Sequence, residues 1–331
     1  MKILLVASPS SFTEQLKKAF IKNGAEIIHV NDREIKISPI FKNNVFLWRL
    51  IRKLPKLKAI NNGFFNRALV NLCNTERPDV LFVNKGMTIS PQTLKEIKSM
   101  GAKTVNWFPE NVKIDIYRNW FLSNVKLYDY FISFDSSILD YEGNTFYVPV
   151  GVDPDKFIIP NLSQSDYDKY SCNLCFIGAY SRDREHYLSR VKDLGLRIFG
   201  WKGWETSSLK EFYGGPLSLE ESIKVYNCAK ICINMNTTPP VNGVNLKTFE
   251  IPLAGGFQLS DFRKDVADLF VIGTEIEIFH DENELRTKSI FYMENEQLRK
   301  SMIQAGRMRV LRDHTLEKRV GDMLRIIEDK K

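Results

Sequence analysis

Two α/β domains in tandem, each a doubly wound parallel sheet, are the architecture this sequence predicts. Three observations carry it. The 331 residues amount to about two domains at ~150 residues each. Short apolar runs alternate with helix-length amphipathic segments, which is the pattern of a parallel sheet covered on both faces. The alternation breaks around position 150 and then restarts.

In the first half, strands are expected at 3–7, 26–30, 80–84, 104–108, 130–134 and 145–148. The opening run Ile3-Leu4-Leu5-Val6-Ala7 is too short for a secretory h-region and reads as the first strand. Helices are expected at 12–22, 66–74 and 91–100, with Gly24, Pro78 and Gly101 at the joints where helices must end. Pro149, Gly151, Pro154 and Pro160, followed by the polar run 163–169, read as an interdomain connection over 151–171. The second half restarts with strands at 173–177, 196–199, 231–234, 257–260 and 275–279. Helices at 183–193, 219–227, 246–254 and 264–270 lie between them, and 283–330 is helical with a break near 312–315. The division is therefore an N-terminal domain over 1–150, a C-terminal domain over 172–311, and a last helix over 312–331 packing back toward the N-terminal domain.

With 44% hydrophobic and 26% charged residues, the composition excludes a disordered chain, a collagen-like fibre and a disulfide-stapled miniprotein. No apolar run of ~18 residues exists to cross a membrane as a helix. The five cysteines, an odd number without a signal sequence, point to reduced thiols in the cytoplasm. Cys172-x2-Cys175 and Cys228-x3-Cys232 have zinc-like spacing. Within a strand, however, residues three apart face opposite sides, so the pairs read as buried thiols and no metal is expected.

The net charge of +7 is uneven. Residues 35–75 hold Lys36, Lys42, Arg49, Arg52, Lys53, Lys56, Lys58 and Arg67 with no Asp or Glu, interleaved with Phe41, Phe46, Trp48, Phe64 and Phe65. A basic, aromatic-rich amphipathic stretch suits an anionic partner: a membrane surface, an acidic polymer or nucleic acid. The competing reading is a solvated helix face packed on its own domain. Trp48, Arg52, Lys53 and Lys56 are the candidate surface or acceptor contacts.

Neither first turn carries Gly-x-Gly-x-x-Gly, which argues against a dinucleotide enzyme. The informative segment is 239–256, Pro-Pro-Val-Asn-Gly-Val-Asn-Leu-Lys-Thr-Phe-Glu-Ile-Pro-Leu-Ala-Gly-Gly. Its loop ends at Asn245, an N-cap for a short helix stopped by Gly255-Gly256. Free amides at that N-terminus suit a phosphate. Lys247 and Glu250, three apart on one face, pair a cation for phosphates with a carboxylate for ribose hydroxyls. The alternative is an exposed helical ion pair.

Residues 244–261 and the junction Tyr147-Val148-Pro149-Val150-Gly151-Val152-Asp153-Pro154-Asp155-Lys156-Phe157 resemble the GT-B glycosyltransferases, in particular the CgeB-like (spore-maturation protein) ones. Cys175-Phe176-Ile177-Gly178-Ala179-Tyr180-Ser181-Arg182 and Arg309-Val310-Leu311-Arg312-Asp313-His314-Thr315 share the resemblance, with a weaker echo at Asn106-Trp107-Phe108-Pro109-Glu110-Asn111. The resemblance implies two Rossmann-like domains facing a central cleft. A nucleotide-sugar co-substrate, UDP-linked, would sit on the C-terminal domain and an acceptor on the N-terminal one, with no cofactor and no metal. It makes Gly178, Arg182, Arg184, Asn242, Asn245, Lys247 and Glu250 the donor-binding set. Arg182 and Lys247 would offset the charge of the leaving diphosphate. Glu110 would be the catalytic base if the reaction inverts, with Asp115 a second candidate. Related retaining enzymes carry Glu-x7-Glu; here the first position is Asn242, which bears no charge.

Other residues carry less. Asp153-Pro154-Asp155 matches a metal motif of a different fold but reads as a turn. His29 and His314 read as structural, and His186 and His280 have no partner at ligand spacing. Trp201 and Trp204 would either stack on a ligand ring or pack in the core. A glycosyltransferase docked peripherally on the inner membrane face, acting on a cell-surface glycan precursor, is the expectation. A transferase acting on nucleic acid or protein, or a catalytically silent GT-B interaction module, are the alternatives.

Overall fold

The computed structural model describes residues 1–34, 36, 44–201, 203–236 and 241–329. Phe41, Lys42, Pro239 and Pro240 lie outside them. The chain forms two compact units, Met1–Pro149 with Leu316–Lys331, and Val150–Thr315.

The first unit runs β1 (Lys2–Ala7), α1 (Ser11–Lys22), β2 (Glu26–Asn31), α2 (Val45–Lys53), α3 (Pro55–Glu76), β3 (Val80–Asn84), α4 (Pro91–Ser99), β4 (Lys103–Phe108), α5 (Asp115–Asn124), β5 (Tyr130–Ser133) and β6 (Thr145–Tyr147). The six strands are all parallel, in the order β2-β1-β3-β4-β5-β6. β1 and β3 are almost continuously apolar and buried, as strands covered on both faces must be. Ser10 starts α1 by accepting the Thr13 amide at 3.1 Å, and Leu16, Ala19 and Phe20 form its buried stripe. Beyond the expected elements there are α2, α5 and the first half of α3. α2 and the first half of α3 come from the stretch whose basic, aromatic-rich, amphipathic character the sequence shows.

The second unit runs α6 (Gln164–Tyr170), β7 (Cys172–Ile177), α7 (Arg182–Ser189), β8 (Leu196–Phe199), α8 (Leu219–Cys228), β9 (Ala229–Asn234), α9 (Lys247–Ala254), β10 (Gln258–Asp261), α10 (Val266–Leu269), β11 (Glu277–Phe279), α11 (Glu282–Glu294) and α12 (Glu296–Asp313). Its five parallel strands are ordered β11-β10-β9-β7-β8. Residues 151–171 belong to this unit. Ser163 and Asp166 form a capping box that starts α6, and Lys224 on α8 reaches Asp166 at 3.0 Å. Cys175 and Cys232 face one another in register on β7 and β9, buried in the core.

The chain then returns to the first unit as α13 (Leu316–Asp329), whose Leu316, Val320, Met323 and Ile327 are buried at helical spacing. Asn23 Nδ2, at the end of α1, donates to the Glu317 carbonyl at 3.0 Å, and the Tyr130 hydroxyl donates to the Ile327 carbonyl at 3.2 Å.

Candidate functional site

A parallel sheet binds ligands outside its carboxyl ends, where the strand order reverses. In the second unit that point lies between β7 and β9. Gly178 follows β7, and a Cβ there would meet the Phe176 ring at 2.7 Å. Trp204, fully buried, donates from Nε1 to the Gly178 carbonyl at 3.0 Å and packs edge-on against Phe176 and Tyr180. Trp204 is therefore core, and it fixes the Gly178 turn; Trp201 is exposed. Ser181 caps α7 by accepting the Arg184 amide at 3.3 Å. Arg184 spans the reversal point, donating to the Ala179 carbonyl at 2.8 Å and the Met235 carbonyl at 2.9 Å. Burial pulls its pKa below the ordinary arginine value, and the Asp261 carboxylate opposes the shift. Arg182, two residues back, is exposed with no side-chain hydrogen bond among the described residues.

A pocket of about 540 Å3 opens at the carboxyl ends of β7, β9, β10 and β11, lined among others by Ser181, Arg184, Asn236, Asp261, Arg263 and His280. Asp261 is its organising carboxylate. It accepts the Asn236 amide at 2.9 Å, the Asn236 side chain at 2.7 Å and Arg263 at 2.7 Å. Arg263 is buried to nine-tenths, and its Nε has no hydrogen-bond partner among the described residues. His280 and His186 each face a carboxylate: Glu284 at 2.8 Å and Glu282 at 3.6 Å.

Lys247 and Glu250 occupy the first turn of α9. Their charges are 3.9 Å apart, and Lys247 Nζ lies 3.4 Å from the Tyr226 hydroxyl. The Glu250 side chain is 19% exposed. Burial raises its carboxyl pKa, and Lys247 pulls the other way. The pair is thus more enclosed than a surface i,i+3 ion pair. Asn245 sits one residue before the Leu246 cap, and its Oδ1 accepts the Thr248 amide at 3.2 Å. Its Nδ2 donates to Asn234 at 3.0 Å and to the Met235 carbonyl at 3.4 Å. Asn245 and Arg184 therefore share the Met235 carbonyl, which ties the start of α9 to the reversal point. Half-buried Asn242 accepts the Asp265 amide on its carbonyl at 3.1 Å.

In the first unit the strand order reverses between β1 and β3. Lys85, just after β3, adopts the left-handed conformation at φ +70. Its ammonium makes a short contact with the Glu110 carboxylate and sits 4.6 Å from the Tyr117 ring centre. Glu110 is thus held by a lysine, and Asp115 starts α5. Asp32, after β2, accepts a 2.7 Å hydrogen bond from the Ser8 hydroxyl, and burial raises its carboxyl pKa against that bond and the nearby cations. Half-buried Trp48 and exposed Arg52, Lys53 and Lys56 lie on α2 and the start of α3.

Reading motifs alone passes over Lys85, Asp32, Asp261 and Arg263. A positional signal for them exists: each lies at or just beyond the carboxyl end of a strand. The remaining candidates are structural. Asp153 accepts the Asp155 amide at 3.2 Å in a turn. His29 contacts the Ala7 carbonyl at 3.0 Å. His314 is buried 5.1 Å from both Phe249 and Phe270, with Nε2 2.7 Å from the Leu269 carbonyl. No group of three or more His, Cys, Asp or Glu among the described residues is placed to hold a metal ion.

Residues 182–325 match the family model described as glycosyl transferase-like. No curated protein matches the sequence. Among solved structures, the sucrose-phosphate synthase of Thermosynechococcus elongatus aligns over 100% of both chains with a TM-score of 0.71 at 12% identity. Anabaena HepE, solved with UDP-glucose, aligns over 99% of this chain and 100% of its own, with a TM-score of 0.67 at 11% identity. A glycosyltransferase of Rickettsia africae aligns over 99% and 98%, with a TM-score of 0.63 at 12% identity. The chain has the fold of these enzymes, the GT-B fold of two Rossmann-like parallel sheets with C-terminal helices.

Proposed function

We propose that this chain is a glycosyltransferase using a UDP-linked sugar, with the nucleotide held by the second unit. The observation that carries the reading is the glycosyl transferase-like match over 182–325, a segment that contains Arg182, Arg184, Lys247 and Glu250. The chemistry agrees with it. Departure of a nucleoside diphosphate builds negative charge, which exposed Arg182, Lys247 and the N-terminal amides of α7 would stabilise. Enclosed Glu250 would accept the ribose hydroxyls, and the tight backbone at Gly178 would let a phosphate approach. HepE, solved with UDP-glucose, supports UDP as the base to try first. The motifs at 147–157 and 309–315 support a place beside the CgeB-like members.

The acceptor side is read from the first unit. Phe46 and Leu50 on α2, Leu54 at the break, and Leu57, Ile60 and Phe64 on α3 are all exposed, Phe46 at 79%. Arg49, Arg52, Lys53, Lys56 and Lys58 flank them without a carboxylate. This is the make-up of a helix surface that lies on an anionic bilayer. No helix among the described residues is long and apolar enough to cross a membrane. Acceptors presented at a membrane surface therefore fit this face best.

Calorimetric titration of UDP, UDP-glucose, GDP and ADP into wild type and Glu250→Ala tests the nucleotide site. Binding of UDP species by wild type, weakened in the variant, is expected. Absence of binding to every nucleotide overturns the reading.

A further inference from the structure

The carboxyl ends of β1 and β2 open onto a second pocket, of about 640 Å3. Pro9 lines it from the bend after β1, Asn31 from the end of β2, Arg33 from the turn after β2, and Trp48, Arg49 and Arg52 from α2. Asn44, the cap of α2, completes it. Three guanidinium groups thus converge where the described lining has no carboxylate, and none of the three makes an ion pair among the described residues. The Arg52 guanidinium lies 5.8 Å from the Trp48 ring centre. Trp48 Nε1 is buried and has no hydrogen-bond partner among the described residues.

Each feature asks for the same thing. Arg33 feels the carboxylate of its neighbour Asp32, whereas Arg49 and Arg52 have no ion-pair partner among the described residues; an anion placed among the three relieves their mutual repulsion. Guanidinium forks match tetrahedral phosphate oxygens, several at a time. The indole face accommodates an apolar body or sugar ring attached to the anion. We propose that this pocket binds a phosphate ester, with the phosphate on Arg33, Arg49 and Arg52 and the esterified group against Trp48. The binding site stands on the first unit by itself; that the ester is the sugar acceptor rests on the transferase reading. The ester comes either from a soluble metabolite or from a membrane lipid headgroup, since the exposed apolar stripe begins on the same helix.

The test compares wild type, Arg49→Ala/Arg52→Ala and Trp48→Phe. Arg49 and Arg52 are exposed, so the double variant keeps the fold, checked by its melting curve. Each protein is titrated with sn-glycerol 3-phosphate by calorimetry and by tryptophan fluorescence. Each is also floated with vesicles of phosphatidylglycerol in phosphatidylcholine, at low and high salt. The expected result is salt-sensitive binding by wild type, weakened about tenfold or more in the double variant, with the fluorescence change reduced in Trp48→Phe. Binding of glycerol phosphate marks a soluble ester, and binding of vesicles alone marks a lipid headgroup. If wild type binds neither, or the double variant binds as wild type does, the proposal falls. UDP titrated in parallel separates the two readings. Loss of UDP binding with ester binding intact sinks the transferase and leaves the pocket, and the converse sinks the pocket alone.

Discussion

Gly178 and Gly200 touch through their backbones. A Cβ built on Gly200 would lie 2.6 Å from the Gly178 carbonyl oxygen, and Gly200 holds φ at +124, where a side chain is strained in any case. The ends of β7 and β8 are thereby pressed together beside the reversal point. The same carbonyl also accepts the Trp204 indole, so the turn is fixed from two sides.

Gly200→Ala is expected to destabilise the second unit by about 3 kcal/mol, from left-handed strain and the clash together. Gly215→Ala makes the control. Gly215 also has a positive φ, +89, but nothing lies within 4 Å of its Cβ position, so about 1 kcal/mol is expected. Urea unfolding of both variants checks the difference.

Glu250 sets a pH dependence. Burial raises its carboxyl pKa, so on acidification it protonates before an exposed glutamate does. UDP affinity is expected to fall as pH drops, beginning above the usual glutamate range of about 4.3. Glu250→Gln should weaken UDP binding about tenfold at neutral pH and flatten the profile. Calorimetry across roughly pH 4.5–8 reads both.

Lys288 bridges two carboxylates, Glu277 at 2.9 Å and Glu284 at 2.8 Å. Its ammonium, with the His280 amide and ring, holds the Glu284 carboxyl down to about 2. Because the folded pKa is depressed, the contribution is complete above the unfolded value and is lost as pH falls from about 4.3 toward 2. Lys288→Met leaves Glu277, 9% exposed, without its cation and is expected to cost about 3 kcal/mol at neutral pH. The gap to wild type should narrow through that acid window in urea titrations.

Phe46→Asp with Leu50→Asp should abolish flotation with phosphatidylglycerol vesicles. Both side chains are exposed, so unfolding free energy is expected to stay within about 0.5 kcal/mol of wild type. Undiminished flotation would remove the membrane-surface reading.

Lys85 occupies a conformation that costs a non-glycine residue about 1 kcal/mol. Lys85→Gly relieves that strain while releasing Glu110 from its cation. Stability should change by no more than about 1 kcal/mol, while sugar transfer should fall at least about tenfold if Lys85 and Glu110 act together on the acceptor. Turnover and melting temperature, measured side by side, separate the two effects.

The parallel sheets were legible because their strands are buried on both faces and read as unbroken apolar runs, as Ile3–Ala7 and Val80–Asn84 do. Helices with ordinary caps were legible too: Ser218 with Glu221 announces α8 as plainly in sequence as in space. α2 was legible as a basic amphipathic stretch but not by its bounds, because its exposed apolar stripe fits neither a core helix nor a solvated one. In the site, Lys247 and Glu250 show themselves through local spacing. Asp261, Arg263 and Asp32 do not, since single charged residues after a strand acquire meaning only when the sheet order places neighbouring strand ends together. For Trp204 the sequence left ligand stacking and core packing open, and its contact with Gly178 decides for the core.

The first unit is finished by α13, which follows the whole of the second unit in the chain. On the ribosome, synthesis proceeds from the N-terminus and domains fold as they emerge. The sheet of the first unit must therefore wait through the synthesis of 166 residues, Val150–Thr315, before Leu316, Val320, Met323 and Ile327 arrive to cover it. Until then the apolar side chains that meet Leu316, Val320, Met323 and Ile327 in the folded first unit have no partner from α13.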